Sequence, residues 1–274
     1  MLHRLILGLA IIFLTVFIYA SVIRPLFQPF DFLPVIEGLP GNALMLMFFS
    51  LFHCIYTLGL GHTAVFFSIS ILISWFYEQL GVTTGLIFGA YYYSDMLGVK
   101  VGAVPLIIPA IWFMMIYPSY IIANLIDSGR PSGTTSTFYS IMRLSLISAL
   151  VMTAWDLIVD PLLSSPAIAA WVWEEGGIYF GVPLHNFAGW ILTTFTIYLA
   201  YRLFEKKVHI KPLGPMTKKI AALPLIAYGS MIVLNFLAGH IPELHLIGVT
   251  AMGLPLLIAA ARLRNEKDYS APAH

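Results

Sequence analysis

Apolar residues in this chain come in long blocks, not in alternating stripes. Charges and Pro/Gly clusters separate runs near Leu5–Val22, Ala43–Gly61, Thr63–Leu80, Val104–Ile126, Tyr139–Val159, Phe187–Phe204, Ile220–Ala238 and Leu244–Ala261. Each approaches the roughly 20 residues that a helix needs to cross a bilayer. The pattern predicts an all-α, polytopic transmembrane helical bundle of about eight spans, making one integral membrane domain over residues 1–274. The first run is long and no A-x-A site follows it, so it is read as a span and not as a leader. The segment Thr83–Leu97 is short and holds Gly85, Gly89 and the triplet Tyr91, Tyr92, Tyr93. It reads as a half-helix or re-entrant piece, which membrane depth tolerates only when it is packed inside protein. Pro161 is expected to stop the fifth helix. Glu205–Lys219 is expected to be a polar loop before a terminal helix pair.

Composition removes the competing fold classes. Of 274 residues, 59% are hydrophobic and 10% are charged, against roughly 25% charged in a soluble domain. A net charge of +1 gives no support for nucleic-acid binding. The lone Cys54 excludes an internal disulfide and reads as a small buried hydrophobe. Charge placement says more than charge total. With eight spans both termini share a side, and all of the 14 Lys and Arg except Arg24 and Lys100 fall on or near it. That asymmetry marks a cell-membrane protein with both termini cytoplasmic. Asp31, Glu37, Glu78, Asp95, Asp156, Asp160, Glu174, Glu175 and Glu243 lie towards the opposite, outer half. Glu78 and Asp156 sit within or at the ends of apolar runs, where a carboxyl group is costly and faces the bundle interior.

Most chemistry-capable residues gather in Met152–Trp190, which reads MTAWDLIVDPLLSSPAIAAWVWEEGGIYFGVPLHNFAGW. Asp156 and Asp160 are four apart, so both carboxyl groups leave one helix face one turn from each other. Two like charges that close favour retention of a proton by one of the pair. Hydrogen bonding to a neighbouring helix, or to an arginine, is the alternative role. Asn186 and Trp190 share a face of the next helix, where Asn186 either caps the helix or orients a water or substrate group. Trp171 and Trp173 are expected to be interfacial anchors. Trp75 and Glu78, three apart, present a ring and a carboxyl group together, with Tyr93 and Asp95 following. His62 and Asn124 read as structural polar groups. The eight histidines form no H-x-x-x-H cluster, no G-x-G-x-x-G is present, and no lysine lies within an apolar run. No metal or cofactor is therefore expected.

Three strings carry a family resemblance: GVKVGAVPLIIPAIWFMMIYPSY (98–120), WDLIVDP (155–161) and WVWEEGGIYFGVPLHNFAGW (171–190). They resemble the membrane carotenoid biosynthesis proteins that include the CruF-type carotenoid 1',2'-hydratases of bacteria and the bisanhydrobacterioruberin hydratase of archaea. The likeness covers about residues 75–204. It implies a cofactor-independent hydratase that adds water across the terminal C=C of an acyclic carotenoid, through a tertiary carbocation. The implied surroundings are the lipid bilayer, a lipophilic carotenoid and other carotenoid biosynthesis enzymes. For that reaction the sequence offers Asp156 or Asp160 as proton donor and Glu78, Asp95 or Glu175 to hold the water. Aromatic faces from Trp75, Tyr93, Trp155 or Trp190 would stabilise the cation. A carotenoid end-group cyclase uses the same protonation. A membrane transporter or pigment-binding scaffold is the non-enzymatic alternative, with the carboxyl groups as an ion path.

Overall fold

The computed structural model describes residues 1–27, 32–132, 137–239 and 241–266. Among them, eight helices are long and apolar enough to cross a membrane. In chain order these are α1 (Leu2–Leu26), α2 (Phe32–Leu58, its apolar part Gly41–Leu58), α3 (Leu60–Thr84) and α4 (Ile107–Ser128). They continue with α5 (Phe138–Leu163), α6 (Leu184–Lys207), α7 (Lys218–Ala238) and α8 (Pro242–Asn265). Asp31 lies outside the described residues. The sequence of α4 is apolar on every face, as a fully enclosed helix must be. It is 83% buried inside the bundle, whereas α1 and α8 are 22% buried. Accordingly α4 is the central post, packed on α2, α3, α5, α7 and α8, while α5 and α6 lie against each other.

Prolines inside these helices free carbonyl groups that hydrocarbon cannot hydrogen-bond. Three of the freed oxygens meet a side chain from another element. Four residues before Pro118, the Met114 carbonyl accepts the Ser50 hydroxyl at 2.8 Å. Four before Pro224, the Ile220 carbonyl accepts Nε2–H of His53 at 2.9 Å. Four before Pro161, the Leu157 carbonyl accepts the Tyr179 hydroxyl at 2.9 Å. This last contact explains why Pro161 does not end its helix as expected: α5 continues to Leu163.

The segment 83–97 is neither a ninth span nor a re-entrant helix. α3 runs to Thr84 and ends on Gly85, whose φ of 69° lies in the left-handed region and whose N–H returns to the Gly81 carbonyl. The chain then turns into strand β1 (Tyr91–Tyr93). After the short pair β2 (Lys100–Val101) and β3 (Val104–Pro105) comes α4. Strand β4 (Trp171–Trp173), between α5 and α6, pairs antiparallel with β1 in the register Tyr91↔Trp173, Tyr92↔Val172, Tyr93↔Trp171. The resulting two-stranded ribbon covers one end of the bundle. Gly189, in the first turns of α6, has no room for a side chain because a Cβ would strike the Ile87 carbonyl. The turn before β1 therefore rests directly on α6.

At the opposite end, α6 continues through Glu205, which had been expected to open a loop. Glu205 and Arg202 are both buried inside the bundle.

Candidate functional site

Side chains on a strand alternate between faces. In β1, Tyr91 and Tyr93 therefore point one way and Tyr92 the other; the first two are buried and Tyr92 is exposed. The paired Trp173 and Trp171 face the same side, with the Tyr91 and Trp173 ring centroids 4.9 Å apart. Four aromatic rings thus line the inner surface of the ribbon, and their polar tips converge on two carboxyl groups. The Tyr91 and Tyr93 hydroxyls both donate to Oε2 of Glu78, at 2.5 and 2.6 Å. The indole N–H groups of Trp171 and Trp173 both donate to Oδ1 of Asp160, at 2.7 and 3.2 Å. Burial first, and then the neighbouring Glu78, push both phenols well above the ordinary tyrosine range. They therefore remain O–H donors at any working pH.

From the first turn of α6, Nδ2 of Asn186 reaches between the aspartates and donates to Oδ2 of Asp160 at 2.6 Å and Oδ2 of Asp156 at 3.1 Å. Asp160, held by three N–H donors from three residues, is the most tightly fixed carboxyl group of the cluster. Asp156 is fully buried, and its Oδ1 has no partner among the described residues.

Below the ribbon lies a cavity that is partly open at its mouth. Glu78, Asp160, Asn186 and the four ribbon aromatics form its polar wall. Trp112, Trp155 and Trp190 add aromatic surface; Trp112 and Trp190 stack at 4.3 Å with Trp155 nearly perpendicular to Trp190. From there the cavity extends to Phe17 and Ala43 on α1 and α2 and to Met231, Leu234 and Ala238 on α7, an almost wholly hydrocarbon stretch. Its lining suits an apolar molecule whose end meets carboxyl groups and aromatic faces.

Of the residues singled out in the sequence, Glu78, Asp160, Tyr93, Trp155, Asn186 and Trp190 come together around this cavity, with Asp156 immediately behind Asp160. Three do not. The Asp95 side chain is fully exposed and ion-paired with Lys100 at 3.2 Å. Glu175 is exposed on the connection after β4. Trp75 does not line the cavity, and its indole N–H donates to the Val101 carbonyl at 3.1 Å, tying α3 to β2.

Sequence reasoning left Tyr91, Trp171, Trp173 and Trp112 out of the candidate site. The tryptophans expected at the membrane interface instead hold Asp160. The strings YYY and WVW did contain the signal, since a period of two places their outer members on one face.

Comparison with known proteins places the chain in a family. The model of a family described as carotenoid biosynthesis protein matches residues 40–258. The bisanhydrobacterioruberin hydratase of Haloarcula japonica is 35% identical over 123 residues, which are 44% of this chain and 39% of that protein. The match thus spans about two fifths of the relative's length. No solved structure matches the chain. Since the family match covers most of the sequence and includes every side chain of the polar wall, this integral membrane protein belongs to the carotenoid biosynthesis protein family.

Proposed function

We propose that the protein hydrates an acyclic carotenoid end, adding water across the terminal C=C to give a tertiary alcohol. The observation that carries this reading is the state of Asp160. It faces the cavity, and two indole N–H groups hold one of its oxygens. A carboxylic acid whose conjugate base is stabilised in advance is a stronger acid. Protonating an isolated alkene demands such strength. Among the described residues, Glu78, Asp156 and Asp160 have no cationic partner. Three uncompensated charges inside a bundle are too costly, so the cluster carries protons.

In the proposed mechanism the polyene lies in the hydrocarbon part of the cavity with its end against the ribbon. Asp160 gives its proton to the less substituted alkene carbon, and the pair of electrons of the double bond forms the new C–H bond. The tertiary cation that results is flanked by the faces of Trp112, Trp155 and Trp190 and by the Glu78 carboxyl group. Water adds to the cation and loses a proton to the Asp156–Asp160 pair, which restores the acid. Atoms balance as alkene plus water, and no electrons are exchanged with a second reactant. The similarity to a protein named bisanhydrobacterioruberin hydratase supports the reaction class. The Lys/Arg asymmetry supports an outward-facing ribbon and cytoplasmic termini in the cell membrane.

The test is incubation of membranes holding the protein with an acyclic carotenoid, followed by mass analysis. Gain of one water by the unaltered protein, lost in Asp160→Asn while the folded protein persists, is the expected result. A product of unchanged mass with a ring end would assign cyclisation. No product from any acyclic carotenoid would leave a binding scaffold.

A further inference from the structure

The substrate cavity is mostly hydrocarbon, yet hydration consumes one water per turnover, so water needs its own route. Of the ten buried side-chain polar atoms that lack a hydrogen-bond partner among the described residues, eight lie on α5 and α6; setting aside Nε1 of Trp155 on the cavity wall, seven remain. They are Oδ1 of Asp156, the hydroxyls of Ser145, Thr153 and Thr193, Nε and Nη1 of Arg202, and Oε2 of Glu205. Ser145, Ser148, Thr153, Asp156 and Asp160 share one face of α5, by the 3.6-residue period. On α6, which runs antiparallel against it, Arg202 faces α5 and reaches Ser148, whereas Thr193, nine residues earlier, lies on the opposite side of the helix. Asp156 is not among the residues that line the substrate cavity, so its unpaired oxygen belongs to this seam.

The far end of the seam is polar as well. Arg202 donates from Nη2 to the Ser148 hydroxyl at 3.1 Å. Its Nη1 lies 3.8 Å from Oε2 of Glu205, too far for a hydrogen bond, while Tyr120 donates to the other Glu205 oxygen. Along the helix axis Ser148 is about 12 Å from Asp156 at 1.5 Å per residue, with Thr153 between them. Buried polar groups are almost always paired, and where protein supplies no partner ordered water does, typically with two to four hydrogen bonds each.

We propose that the α5–α6 seam is the water path of the enzyme, running from the Arg202–Glu205 pair past Ser145 and Thr153 to Oδ1 of Asp156, which holds water immediately behind Asp160. This rests on the hydratase reading above. Asp156 is thereby a positioning group for the nucleophile as well as a proton acceptor. Water and polyene enter by separate routes, which keeps the acid wall dry until a cation forms.

Thr153→Val and Ser145→Ala, combined, remove both unpaired hydroxyls of the α5 face with little change of shape. In heavy water, a cation that lacks a nucleophile returns to alkene, and the recovered substrate gains deuterium. The ratio of deuterium exchange to hydrated product is therefore expected to rise several-fold in the double variant. An unchanged ratio overturns the water path while leaving hydration by the unaltered protein intact. A second readout needs no turnover. If the hydroxyls hold water, the double variant melts at a lower temperature; a melting temperature unchanged or raised means dry, orphaned hydroxyls and overturns the path. Absence of hydration by the unaltered protein instead defeats the hydratase reading, and the melting comparison then decides the seam alone.

Discussion

The most direct probe of the acid is the pair of indole N–H groups that grip Asp160. Trp171→Phe and Trp173→Phe each keep an aromatic ring on the ribbon and delete one donor. A hydrogen bond to a charged acceptor contributes roughly 1.5–3 kcal/mol. The Asp160 carboxylate is fully formed only after proton transfer, so the loss falls on the transition state and not on the bound polyene. At about 1.36 kcal/mol per factor of ten, kcat is expected to fall by about 10- to 150-fold with KM little changed. The shorter bond, 2.7 Å from Trp171, should be the more costly to lose than the 3.2 Å bond from Trp173. The assay is initial-rate hydration in membranes or nanodiscs, with the carotenoid varied and product followed by mass. Turnover by both variants at the unaltered rate would refute the assignment of Asp160 as an acid strengthened by indole donors. A rise in KM alone would instead make the tryptophans mere contact surface.

Gly189→Val should destabilise the protein by about 1–3 kcal/mol, the usual cost of overpacking, because the Ile87 carbonyl blocks the added side chain; urea or thermal denaturation in detergent measures it. Ser50→Ala should cost about 1–3 kcal/mol by leaving the Met114 carbonyl unpaired. Adding Pro118→Ala restores a backbone donor and should recover most of that loss, and a double-mutant cycle showing no coupling would remove the account of the freed carbonyls. Arg202→Met should cost about 3–5 kcal/mol by stranding a buried Glu205, whereas Arg202→Met with Glu205→Leu should recover much of it. Equal losses in the single and double variants would show that packing, not charge, holds this end.

The eight spans were legible because membrane thickness imposes a length on every one of them, and length survives errors of a few residues at each end. The Asp156–Asp160 pair was legible from the helical period alone. What hid the rest was sequence distance. Whether Pro161 ends α5 depends on the Tyr179 hydroxyl, 22 residues away. Tyr91–Tyr93 finds its partner strand at Trp171–Trp173, and nothing local to either triplet specifies the other. Trp171 and Trp173 therefore looked like interfacial anchors until pairing turned their indoles inward. Asp95 and Glu175 are near the site in sequence, yet both face outwards, and charge near a site was a poor guide without the direction of its side chain. Glu205 was assigned to a loop by its lysine neighbours, although its own position on α6 faces Tyr120 and Arg202.

The hydrogen-bond pattern also constrains what the cavity can recognise. Tyr91, Tyr93, Trp171, Trp173 and Asn186 each spend a donor on Glu78, Asp156 or Asp160. At the other end of the cavity, Asn235 directs its amide N–H to the Met231 carbonyl at 2.7 Å. These donors are committed within the protein, whereas Nε1 of Trp155 on the cavity wall has no partner among the described residues. A ligand meets mainly aromatic faces, hydrocarbon and the edges of carboxyl groups, a surface that suits a hydrocarbon end whose one reactive feature is a C=C. Glu78 stands on α3 and Asp160 on α5, and the paired strands β1 and β4 join them by backbone hydrogen bonds. The strand register thus ties the two carboxyl-bearing helices together at this end of the bundle.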